Sequence, residues 1–290
     1  EVIESQRTTP ESTELQALAA VMRERHMRHL IIEASSHALE LHRLKGAHFA
    51  IAGFTNLTQD HLDFHGDMES YFAAKSALFT FEMADLAFIN IDCPYGTRLA
   101  GSTELPVKSL SRFNTSANWH FTEIDSQSRK VQLKVRGSDG ILIETTTMLR
   151  GGYNFDNLLM AIAIAVESGV DPIEIAAIVP HITGAAGRLE ELTVGQDFSA
   201  FVDYAHTPDA VSNVLKSIRE FTSGKVVAVL GCGGDRDASK RSLMGNALYE
   251  NADTAIFTSD NPRSEDPEAI LQAMTQGLVI AEPSRIISDR

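Results

Sequence analysis

The stretch FAIAGFTNLTQDHLDFHGDMESYFAAKSALFTFEMADLAFINI, residues 49–91, decides the fold class of this chain. It begins with the apolar run FAIAGFTN and ends with a second one, LAFINI, and a polar loop and a segment of helical pattern lie between them. Short runs rich in apolar and β-branched residues are typical of strands that are buried on both faces of a parallel sheet. Strand, helix and strand in this order make a βαβ unit, so we expect neighbouring parallel strands here.

The same alternation continues through most of the chain. Further strands are predicted near residues 29–34, 198–204, 225–231 and 254–260. Four helices are predicted where a Thr or Asp cap precedes proline, whose missing N–H costs nothing at the first helical position; the pairs are Thr9-Pro10, Asp171-Pro172, Thr207-Pro208 and Asp266-Pro267. The sequence therefore predicts an α/β fold with a doubly wound, mostly parallel sheet, whose ligands bind at the carboxyl ends of the strands.

Two features subdivide this α/β pattern. Residues 103–150 alternate apolar and polar side chains around the turn sequence Ser-Asp-Gly, which predicts a small antiparallel excursion. The length of 290 residues favours two domains. Glycines and a threonine in residues 181–192 separate a helix from the next strand, so we place the boundary at about Gly187. The expected domains are residues 1–186 and a Rossmann-like α/β domain of residues 187–290.

Composition and charge exclude several classes of protein. The formal net charge of -14 opposes binding to nucleic acid or to an anionic membrane surface. No apolar run approaches the roughly 20 residues that a membrane helix needs. Cys93 and Cys232 form no C-x-x-C pair, so neither a disulfide framework nor a structural zinc site is indicated. We therefore expect a cytoplasmic protein that binds neither nucleic acid nor membrane.

Polar groups cluster where two of the predicted strands end. Glu33 ends one apolar run, and Asp60, His61 and Asp63 follow the next. Because the carboxyl ends of parallel strands share one rim, these groups could hold Mg²⁺, which prefers oxygen ligands. Capping of the following helices explains the same residues, so the choice remains open at this point.

The helix that follows this loop contains one lysine of interest. Asp67 is predicted to cap the helix MESYFAAKSALF, and His65 is interpreted as an ordinary polar residue. Lys75 lies on that helix, and the pattern alone favours a solvated or snorkelling charge.

Three later segments also carry polar groups at helix starts or strand ends. Asn154 and Asn157 share a helix face and fit either helix caps or the edge of a purine. GCGGDRD, residues 231–237, lacks the third glycine of G-x-G-x-x-G, so it does not indicate a dinucleotide site. DNPR, residues 260–263, follows another strand, and arginines at neighbouring strand ends could bind carboxylates.

These segments, in this order, resemble the Mur ligases, and specifically the MurE type, which add the third residue of the peptidoglycan stem peptide. The resemblance covers nearly the whole chain. It is carried by RTTPES (7–12), EASSHALELHR (33–43), FTNLTQDHLDFHGDMESYFAAK (54–75), GGYNFDN (151–157), GRLE (187–190), VDYAHTPDA (202–210), GCGGDRDASKR (231–241) and DNPR (260–263).

The resemblance implies an ATP-dependent carboxylate–amine ligase of cell wall synthesis. Such an enzyme would add meso-diaminopimelate to UDP-MurNAc-L-Ala-D-Glu through an acyl phosphate. Residues 1–186 would be the central ATP-binding domain and residues 187–290 the domain that binds the incoming amino acid. We expect a monomer whose partners are these two substrates.

Residue roles follow from the same resemblance. Glu33 and His61 would bind two Mg²⁺ ions with Asp60 and Asp63 as supports, and Lys75 would carry a carbamate, an anion that Mg²⁺ attracts. That implication replaces the solvated charge favoured above. The nucleotide would contact Asn154 and Asn157 through adenine, Arg188 through phosphate and Asp203 through ribose, with His206 near the reacting phosphate. The muramoyl dipeptide would contact Thr8, Thr9, Ser35 and Arg43, and the amino acid would contact Arg236, Asp260, Asn261 and Arg263.

The DNPR arginine is the pattern associated with meso-diaminopimelate, and lysine-adding relatives lack it. The phosphate loop G-x-x-G-K-T, the domain that holds UDP and the last part of the amino-acid pocket would lie outside residues 1–290. The resemblance thus implies an internal fragment that is inactive alone. In addition, DASKRS lacks the second lysine and the proline usual in the family.

Three alternatives stay open from the sequence. One is another amide ligase of the superfamily, either lysine-adding or of the folylpolyglutamate type. A second is a metallohydrolase that uses Glu33, His61 and the neighbouring aspartates with a bound water. The third is a catalytically silent nucleotide-binding module.

Overall fold

The computed structural model describes residues 7–126 and 130–289, which pack as two compact units. The first unit extends to Trp119 but omits Thr58–Asp60. The second contains Thr58–Asp60 and the chain from His120 onwards. No helix in the described part of the chain is both long and apolar enough to cross a membrane.

The first unit is built around three parallel strands. Its elements are α1 (Ser12–Glu24), α2 (Ser36–Glu40), β1 (Phe49–Phe54), α3 (Leu62–His65), α4 (Met68–Ser76), β2 (Ala84–Asn90), α5 (Pro94–Ser102) and β3 (Val107–Ser111). β2 lies between β1 and β3, with Ile51 opposite Leu86 and Ala87 opposite Val107. Phe88 and Ile89 of β2 are fully buried. The βαβ unit predicted from residues 49–91 is confirmed; β2 is largely buried, whereas β1 is buried only at Ala52 and Phe54 and is half-buried or exposed elsewhere.

The predicted antiparallel excursion lies in the second unit from His120 onwards. β4 (Trp119–Asp125), β5 (Val131–Arg136) and β6 (Leu142–Thr147) pair antiparallel in chain order. At the Ser-Asp-Gly turn, Asp139 and Gly140 both have positive φ, +60° and +79°, which is the backbone that suits a tight hairpin. Trp119, at the start of β4, is 2% exposed.

The remaining helices and strands belong to the second unit. They are α6 (Gly152–Glu167), α7 (Pro172–Ile178), β7 (Glu190–Leu192), β8 (Ala200–Val202), α8 (Pro208–Phe221), β9 (Val227–Leu230), α9 (Lys240–Asn251), β10 (Thr254–Thr258), α10 (Pro267–Met274) and β11 (Arg285–Ile287). β9 and β11 flank β10 in a parallel sheet. Phe257 and Met274 are fully buried in its core. The predicted α/β class with parallel strands and an antiparallel excursion is confirmed.

Three local predictions were wrong. Residues 29–34 form no strand, because an apolar run needs a neighbour to complete a ladder and no described strand pairs with it. The helix expected at Thr9-Pro10 begins at Ser12, since the Thr9 hydroxyl is bonded elsewhere. The strand near 198–204 shortens to β8, which pairs antiparallel with β7 instead of joining a parallel sheet.

The other helix starts are as predicted. Asp171, Thr207 and Asp266 each accept a hydrogen bond from a backbone N–H in the first turn, followed by proline. Asp67 caps α4 by accepting from the N–H of Ser70 at 2.7 Å. Cys93 and Cys232 are both free thiols, the first half-buried and the second buried.

Candidate functional site

Thr9 links the segments before α1 and α2 in the first unit. Its hydroxyl donates to the Glu33 carbonyl at 2.7 Å, accepts from the N–H of Ser35 at 3.0 Å and lies 3.0 Å from the Ser35 hydroxyl. Ser35 Oγ also accepts from the N–H of Ala38 at 3.3 Å and so caps α2. Thr9 is buried at 1% exposure, whereas Thr8 is exposed. Two predicted substrate contacts, Thr9 and Ser35, therefore touch each other.

Arg43 joins the same cluster from the chain after α2. Its Nη1 donates to the Thr9 carbonyl at 3.5 Å, and its Nε lies 3.2 Å from Glu11 Oε1. The Arg43 side chain is 14% exposed, so the Glu11 carboxylate compensates a charge that is largely withdrawn from water. Thr9, Ser35 and Arg43 thus form one connected group, while Thr8 lies at its exposed side.

Lys75 extends from α4 to the segment that carries Glu33. Its Nζ donates to the Ala34 carbonyl at 3.3 Å. Burial lowers the pKa of the Lys75 ammonium, and the negative charge of Glu33 opposes that effect. The solvated charge favoured by the helical pattern alone is therefore wrong, because the amine is half-buried and held by a backbone oxygen.

His61 lies in a group of three histidine rings. It has a left-handed backbone, φ +55°, immediately before α3. Its ring centroid is 4.8 Å from that of His37 and 6.1 Å from that of Tyr71. The ring of His65 stacks on Tyr71 at 5.0 Å, and its Nε2 lies 2.9 Å from the hydroxyl of Ser36. Burial lowers the pKa of His37 and that of His65, which favours the neutral imidazole that metals bind.

The donors of the first unit fit Mg²⁺ better than zinc. Within residues 7–126 and 130–289, no three His, Cys, Asp or Glu side chains converge into a ready metal cage. Glu33 is exposed and supplies a carboxylate. Mg²⁺ commonly keeps waters and binds substrate phosphates alongside one or two carboxylates, whereas a hydrolytic zinc site has three protein ligands.

Asp203 connects three segments of the second unit. Its Oδ2 accepts from the Tyr153 hydroxyl at 3.0 Å and from the N–H of Leu189 at 2.7 Å, and its Oδ1 accepts from the N–H of Ala205 at 2.8 Å. Burial raises the pKa of Tyr153, and the charge of Asp203 adds to that effect. Leu189 has a left-handed backbone, φ +47°, so the carboxylate stabilises a conformation that leucine rarely adopts. A predicted ribose contact is thus rigidly held.

Asn154 and Asn157 lie within α6 and not at its cap. The cap position is Gly151, so the helix-cap interpretation of this pair is wrong. Nδ2 of Asn154 donates to the Arg150 carbonyl at 2.8 Å, and Asn157 is exposed. Their spacing of three residues places both amides on one helix face.

The loop after β8 contains His206 and contacts Arg188 and Asp60. The guanidinium of Arg188 lies 5.3 Å from the ring centroid of Tyr204. His206 Nδ1 lies 3.0 Å from the Tyr204 carbonyl, and its Nε2 lies 3.2 Å from Asp60 Oδ2. That contact with Asp60 raises the pKa of His206. Asp60 Oδ1 is 3.5 Å from Lys240 Nζ. Asp60, expected to support His61, thus has His206 and Lys240 as partners.

Two loops at the carboxyl ends of β9 and β10 bring the predicted amino-acid contacts together. We call residues 231–239 the β9 loop and residues 259–266 the β10 loop. The N–H of Gly234 donates to the Asn261 carbonyl at 2.9 Å, and Arg263 Nη1 donates to the Gly234 carbonyl. If Gly233 carried a Cβ, that atom would lie 3.1 Å from Arg263 Nη1 and 4.0 Å from Arg236 Cγ. Both arginines thus flank one glycine.

The glycines of GCGGDRD serve this packing. A Cβ on Gly234 would lie 1.8 Å from the Pro262 carbonyl oxygen, a distance that no side chain could occupy. The loops can therefore touch only because position 234 has no side chain. Arg236, Asp260, Asn261 and Arg263 are all exposed beside this contact.

The predicted site residues fall into two sets. The first unit holds Thr8, Thr9, Glu33, Ser35, Arg43, His61 and Lys75, and the second holds Asn154, Asn157, Arg188, Asp203, His206, Arg236, Asp260, Asn261 and Arg263. Sequence reasoning missed Tyr153, His37, Arg241 and Glu265. Tyr153, His37 and Arg241 had a signal, because each lies inside a segment that already carried a candidate, and Glu265 had none.

Comparison with known proteins identifies the family of both parts of the chain. Residues 1–165 match the model of the Mur ligase middle domain, and residues 187–290 match that of the Mur ligase, glutamate ligase domain. The chain is 48% identical over 278 residues to a UDP-N-acetylmuramoyl-L-alanyl-D-glutamate--2,6-diaminopimelate ligase of Streptomyces coelicolor, covering 96% of this chain and 55% of the relative. A Synechocystis protein of the same name is 42% identical over 98% of this chain and 57% of its own length. The chain spans little more than half the length of these curated relatives.

Solved structures are similar as well. A structure of a UDP-N-acetylmuramoyl-L-alanyl-D-glutamate--2,6-diaminopimelate ligase matches with a TM-score of 0.67 and 34% identity, over 98% of this chain and 59% of that one. A Mycobacterium tuberculosis folylpolyglutamate synthase complexed with ADP matches with a TM-score of 0.65 over 83% of this chain and 54% of that one, but at 19% identity it shares the fold alone.

Proposed function

This chain belongs to the Mur ligase family, and from that membership we propose that the complete protein adds meso-diaminopimelate to UDP-MurNAc-L-Ala-D-Glu with ATP in peptidoglycan synthesis. By the complete protein we mean the whole product of the gene that carries this sequence. Arginine and asparagine side chains at the carboxyl ends of β9 and β10 carry the proposal.

The observation in favour of this amino acid is the pair Arg236 and Arg263. Both flank Gly233, and Arg263 is held by the Gly234 carbonyl. A guanidinium binds a carboxylate through two parallel hydrogen bonds, and meso-diaminopimelate carries two carboxylates where lysine carries one. Asp260, exposed in the same loop, supplies a negative charge for an ammonium group.

The nucleotide is assigned to the other residues of the second unit. Asn154 and Asn157 would contact adenine, Asp203 ribose and Arg188 a phosphate. His206 has a raised pKa because of Asp60, so its positive form is favoured and suits a position near the reacting phosphate. Asp203 keeps its geometry because Tyr153 and two backbone N–H groups hold it. Binding in a fixed geometry lowers the entropic cost of the reaction.

The chemistry proceeds in two steps. A carboxylate oxygen of the substrate glutamate attacks the γ-phosphorus of ATP, and ADP leaves. The amine nitrogen of diaminopimelate then attacks the acyl carbon; the carbon–oxygen bond to phosphate breaks, phosphate leaves and the amine loses a proton. Thr8, Thr9, Ser35 and Arg43 would hold the muramoyl dipeptide for the first step.

Glu33 and His61 would hold Mg²⁺, which supplies neutralisation of phosphate charge. Lys75 would join them as a carbamate. Carbon dioxide adds to a neutral amine, and the burial that lowers the pKa of Lys75 favours that form. The product would be an anion beside Glu33, where an ammonium would repel a metal ion.

We further propose that the domain boundary lies at about Gly187, so that residues 1–186 belong to the ATP-binding domain and 187–290 to the amino-acid domain. The match to the C-terminal family model, which starts at residue 187, supports it. We propose that the protein acts in the cytoplasm, because its two cysteines are free thiols. We also propose that it is a monomer.

The test is a substrate comparison with the complete protein. Phosphate release should require ATP, UDP-MurNAc-L-Ala-D-Glu and meso-diaminopimelate together, and lysine should replace diaminopimelate poorly. Arg263→Ala should raise the KM for diaminopimelate by about tenfold or more, the loss of one charged hydrogen-bond pair, and leave the KM for ATP nearly unchanged. Arg219→Ala, which removes an exposed arginine that pairs with Asp253, is the control. Equal efficiency with lysine, or equal effects on both KM values, would refute the amino-acid assignment.

A further inference from the structure

Arg241 is a buried arginine that none of the predicted roles uses. It is the second residue of α9, and its side chain is only 6% exposed. A buried guanidinium needs a partner, because an uncompensated charge inside a protein is strongly destabilising. Its partner is Glu265, in the β10 loop.

The contact is bidentate. Arg241 Nη1 donates to Glu265 Oε2 at 2.9 Å, and Nη2 donates to Oε1 at 2.7 Å. Two parallel bonds fix orientation as well as distance. The hydrogen bonds from Arg241 and then that from the N–H of Asp235 lower the pKa of Glu265 to about 2. The pair therefore stays charged across the whole physiological range.

The Arg241–Glu265 pair is hydrogen-bonded to the β9 loop and belongs, through Glu265, to the β10 loop. Glu265 Oε1 also accepts from the N–H of Asp235 at 2.6 Å, and Asp235 accepts from the hydroxyl of Ser264 at 2.7 Å and from its N–H at 3.2 Å. Asp235 precedes Arg236 in the chain, and Ser264 follows Arg263. Each pocket arginine thus has a neighbour in the chain that is held by this network.

Both loops also have unusual backbones at these points. Asp235 and Arg263 have φ values of +50° and +51°, in the left-handed region that residues with a side chain rarely adopt. Such conformations cost free energy and persist only where surrounding contacts hold them. Glu265 supplies one such contact, at the N–H of Asp235 itself.

We propose that Arg241 and Glu265 are positioning residues that fix the separation of Arg236 and Arg263 and so set the preference for an amino acid with two carboxylates. The inference rests on the proposed function, since it concerns the same pocket. Neither residue needs to touch the amino acid. Loosening the network should weaken a ligand that engages both arginines more than a ligand that engages one, because only the first depends on their spacing.

The experiment uses Glu265→Gln, which keeps the shape and removes the charge, and Glu265→Asp, which keeps the charge and shortens the side chain. The complete protein is assayed for kcat and KM with meso-diaminopimelate, with lysine and with ATP, and its thermal midpoint is recorded. Glu265→Gln should raise the KM for diaminopimelate by about tenfold, the order of one charged hydrogen bond, and change the KM for ATP by less than twofold or so. The preference of Glu265→Gln for diaminopimelate over lysine should fall by a similar factor. Glu265→Asp should recover part of the KM for diaminopimelate and part of this preference.

The matched control is Asp253→Asn. Asp253 accepts from Arg219 at 2.7 Å and from the N–H of Val226 at 2.7 Å. It lies just before β10, so it is at the ends of β9 and β10 that are opposite to the β9 and β10 loops. This variant should lower the thermal midpoint and leave the preference unchanged. If it shifts the preference as much as Glu265→Gln does, the effect is one of stability and the proposal is overturned.

A combined variant makes the test independent of folding yield. If Glu265 acts through Arg263, then Glu265→Gln should have little further effect on the KM for diaminopimelate in an Arg263→Ala background. Additive effects would overturn the proposal. Failure of the proposed function is a separate result, since it would be visible in the unsubstituted protein as an absence of diaminopimelate-dependent phosphate release.

Discussion

Asp203 shows how one carboxylate can determine the geometry of several segments. It accepts from the hydroxyl of Tyr153 and from two backbone N–H groups, one of them on Leu189 with its left-handed backbone. Donors from three segments hold this carboxylate in one position. A nucleotide that hydrogen-bonds to it would then meet an acceptor that needs no rearrangement.

We expect Tyr153→Phe to test that geometry. Loss of the phenolic donor leaves Asp203 with only backbone partners, so the KM for ATP should rise by up to about tenfold, the value of one hydrogen bond to a charged group. Tyr249→Phe removes a hydroxyl that donates to the Val279 carbonyl at 3.0 Å and is the matched control. Steady-state kinetics with varied ATP measures both, and an equal change in the two variants would contradict this role.

Lys75→Ala should lower kcat for ligation by about 100-fold or more. It removes the carbamate, whose negative charge is proposed to stabilise the transferring phosphoryl group. Small carboxylates such as acetate should restore part of kcat, because they can occupy the space as an anion. Lys75→Arg keeps a positive charge and cannot form the carbamate, so it should stay inactive with acetate. Full activity of Lys75→Ala, or activity of Lys75→Arg, would rule out the carbamate.

At the scale of elements, the pocket depends on two loops that approach without side chains between them. The β9 and β10 loops contact each other through backbone atoms at Gly234 and Asn261, and Pro262 leaves no room for a Cβ at position 234. The parallel pairing of β9 and β10 brings the loops to one edge, and the missing side chain lets them meet.

Gly234→Ala should therefore separate the loops. A methyl group 1.8 Å from a carbonyl oxygen forces a backbone shift, at a cost of about 1–3 kcal/mol, and the KM for diaminopimelate should rise. Gly224→Ala is the matched control in the same unit, because its Cβ would meet only the Thr222 hydroxyl at 3.5 Å. Thermal unfolding and kinetics of both variants decide the matter, and equal behaviour would show that the contact is unimportant.

The pair Arg241 and Glu265 predicts a specific response to acid. The folded protein holds the pKa of Glu265 at about 2, below its ordinary value of 4.5, so its contribution to stability is present above pH 4.5 and is lost as the pH falls through 2. Glu265→Gln should lose less stability than the unsubstituted protein between those values. Glu220→Gln, which removes an exposed carboxylate of α8, is the matched control. Thermal midpoints at pH 5, 4, 3 and 2 give the comparison, and parallel curves for all three proteins would contradict the assignment.

At the scale of the whole molecule, local patterns predicted local structure well and long-range partners poorly. Residues 49–91 formed the expected βαβ unit, because an apolar run and a capped helix are decided by nearby residues. Residues 29–34 had the same apolar pattern and formed no strand, since a ladder requires a partner elsewhere. Thr9 was predicted to cap a helix, but its hydroxyl bonds to Glu33 and to Ser35, 26 positions away, and Glu11 takes the cap position of α1.

The candidate site shows the same division. The segments that carry Asp203, Arg236 and Arg263 were identifiable from motifs, but the contacts that support these residues were not. Arg241 and Glu265 are 24 residues apart and have no shared motif or period, so only the pairing of β9 with β10 brings them together. The glycines of GCGGDRD do not fit a dinucleotide fingerprint, and their packing role needed the opposite loop to be known.

The proposed boundary at Gly187 can be tested by limited proteolysis. Residues 183–186 are exposed and lack helix or strand, and they contain the small residues that elastase cleaves. The first cut should therefore fall between residues 183 and 189 and release fragments that mass spectrometry can assign. A first cut near Trp119, where the two packing units divide, would contradict the proposed boundary.

Trp119 offers an optical readout of many of these experiments. It is the single tryptophan of the sequence and is 2% exposed, so any indole fluorescence comes from one shielded site at the start of β4. An indole removed from water emits at shorter wavelength, and its emission moves to the red when that site opens. One unlabelled chromophore thus reports the integrity of the region around β4, and a substitution in either pocket loop that preserves its spectrum has left that region folded.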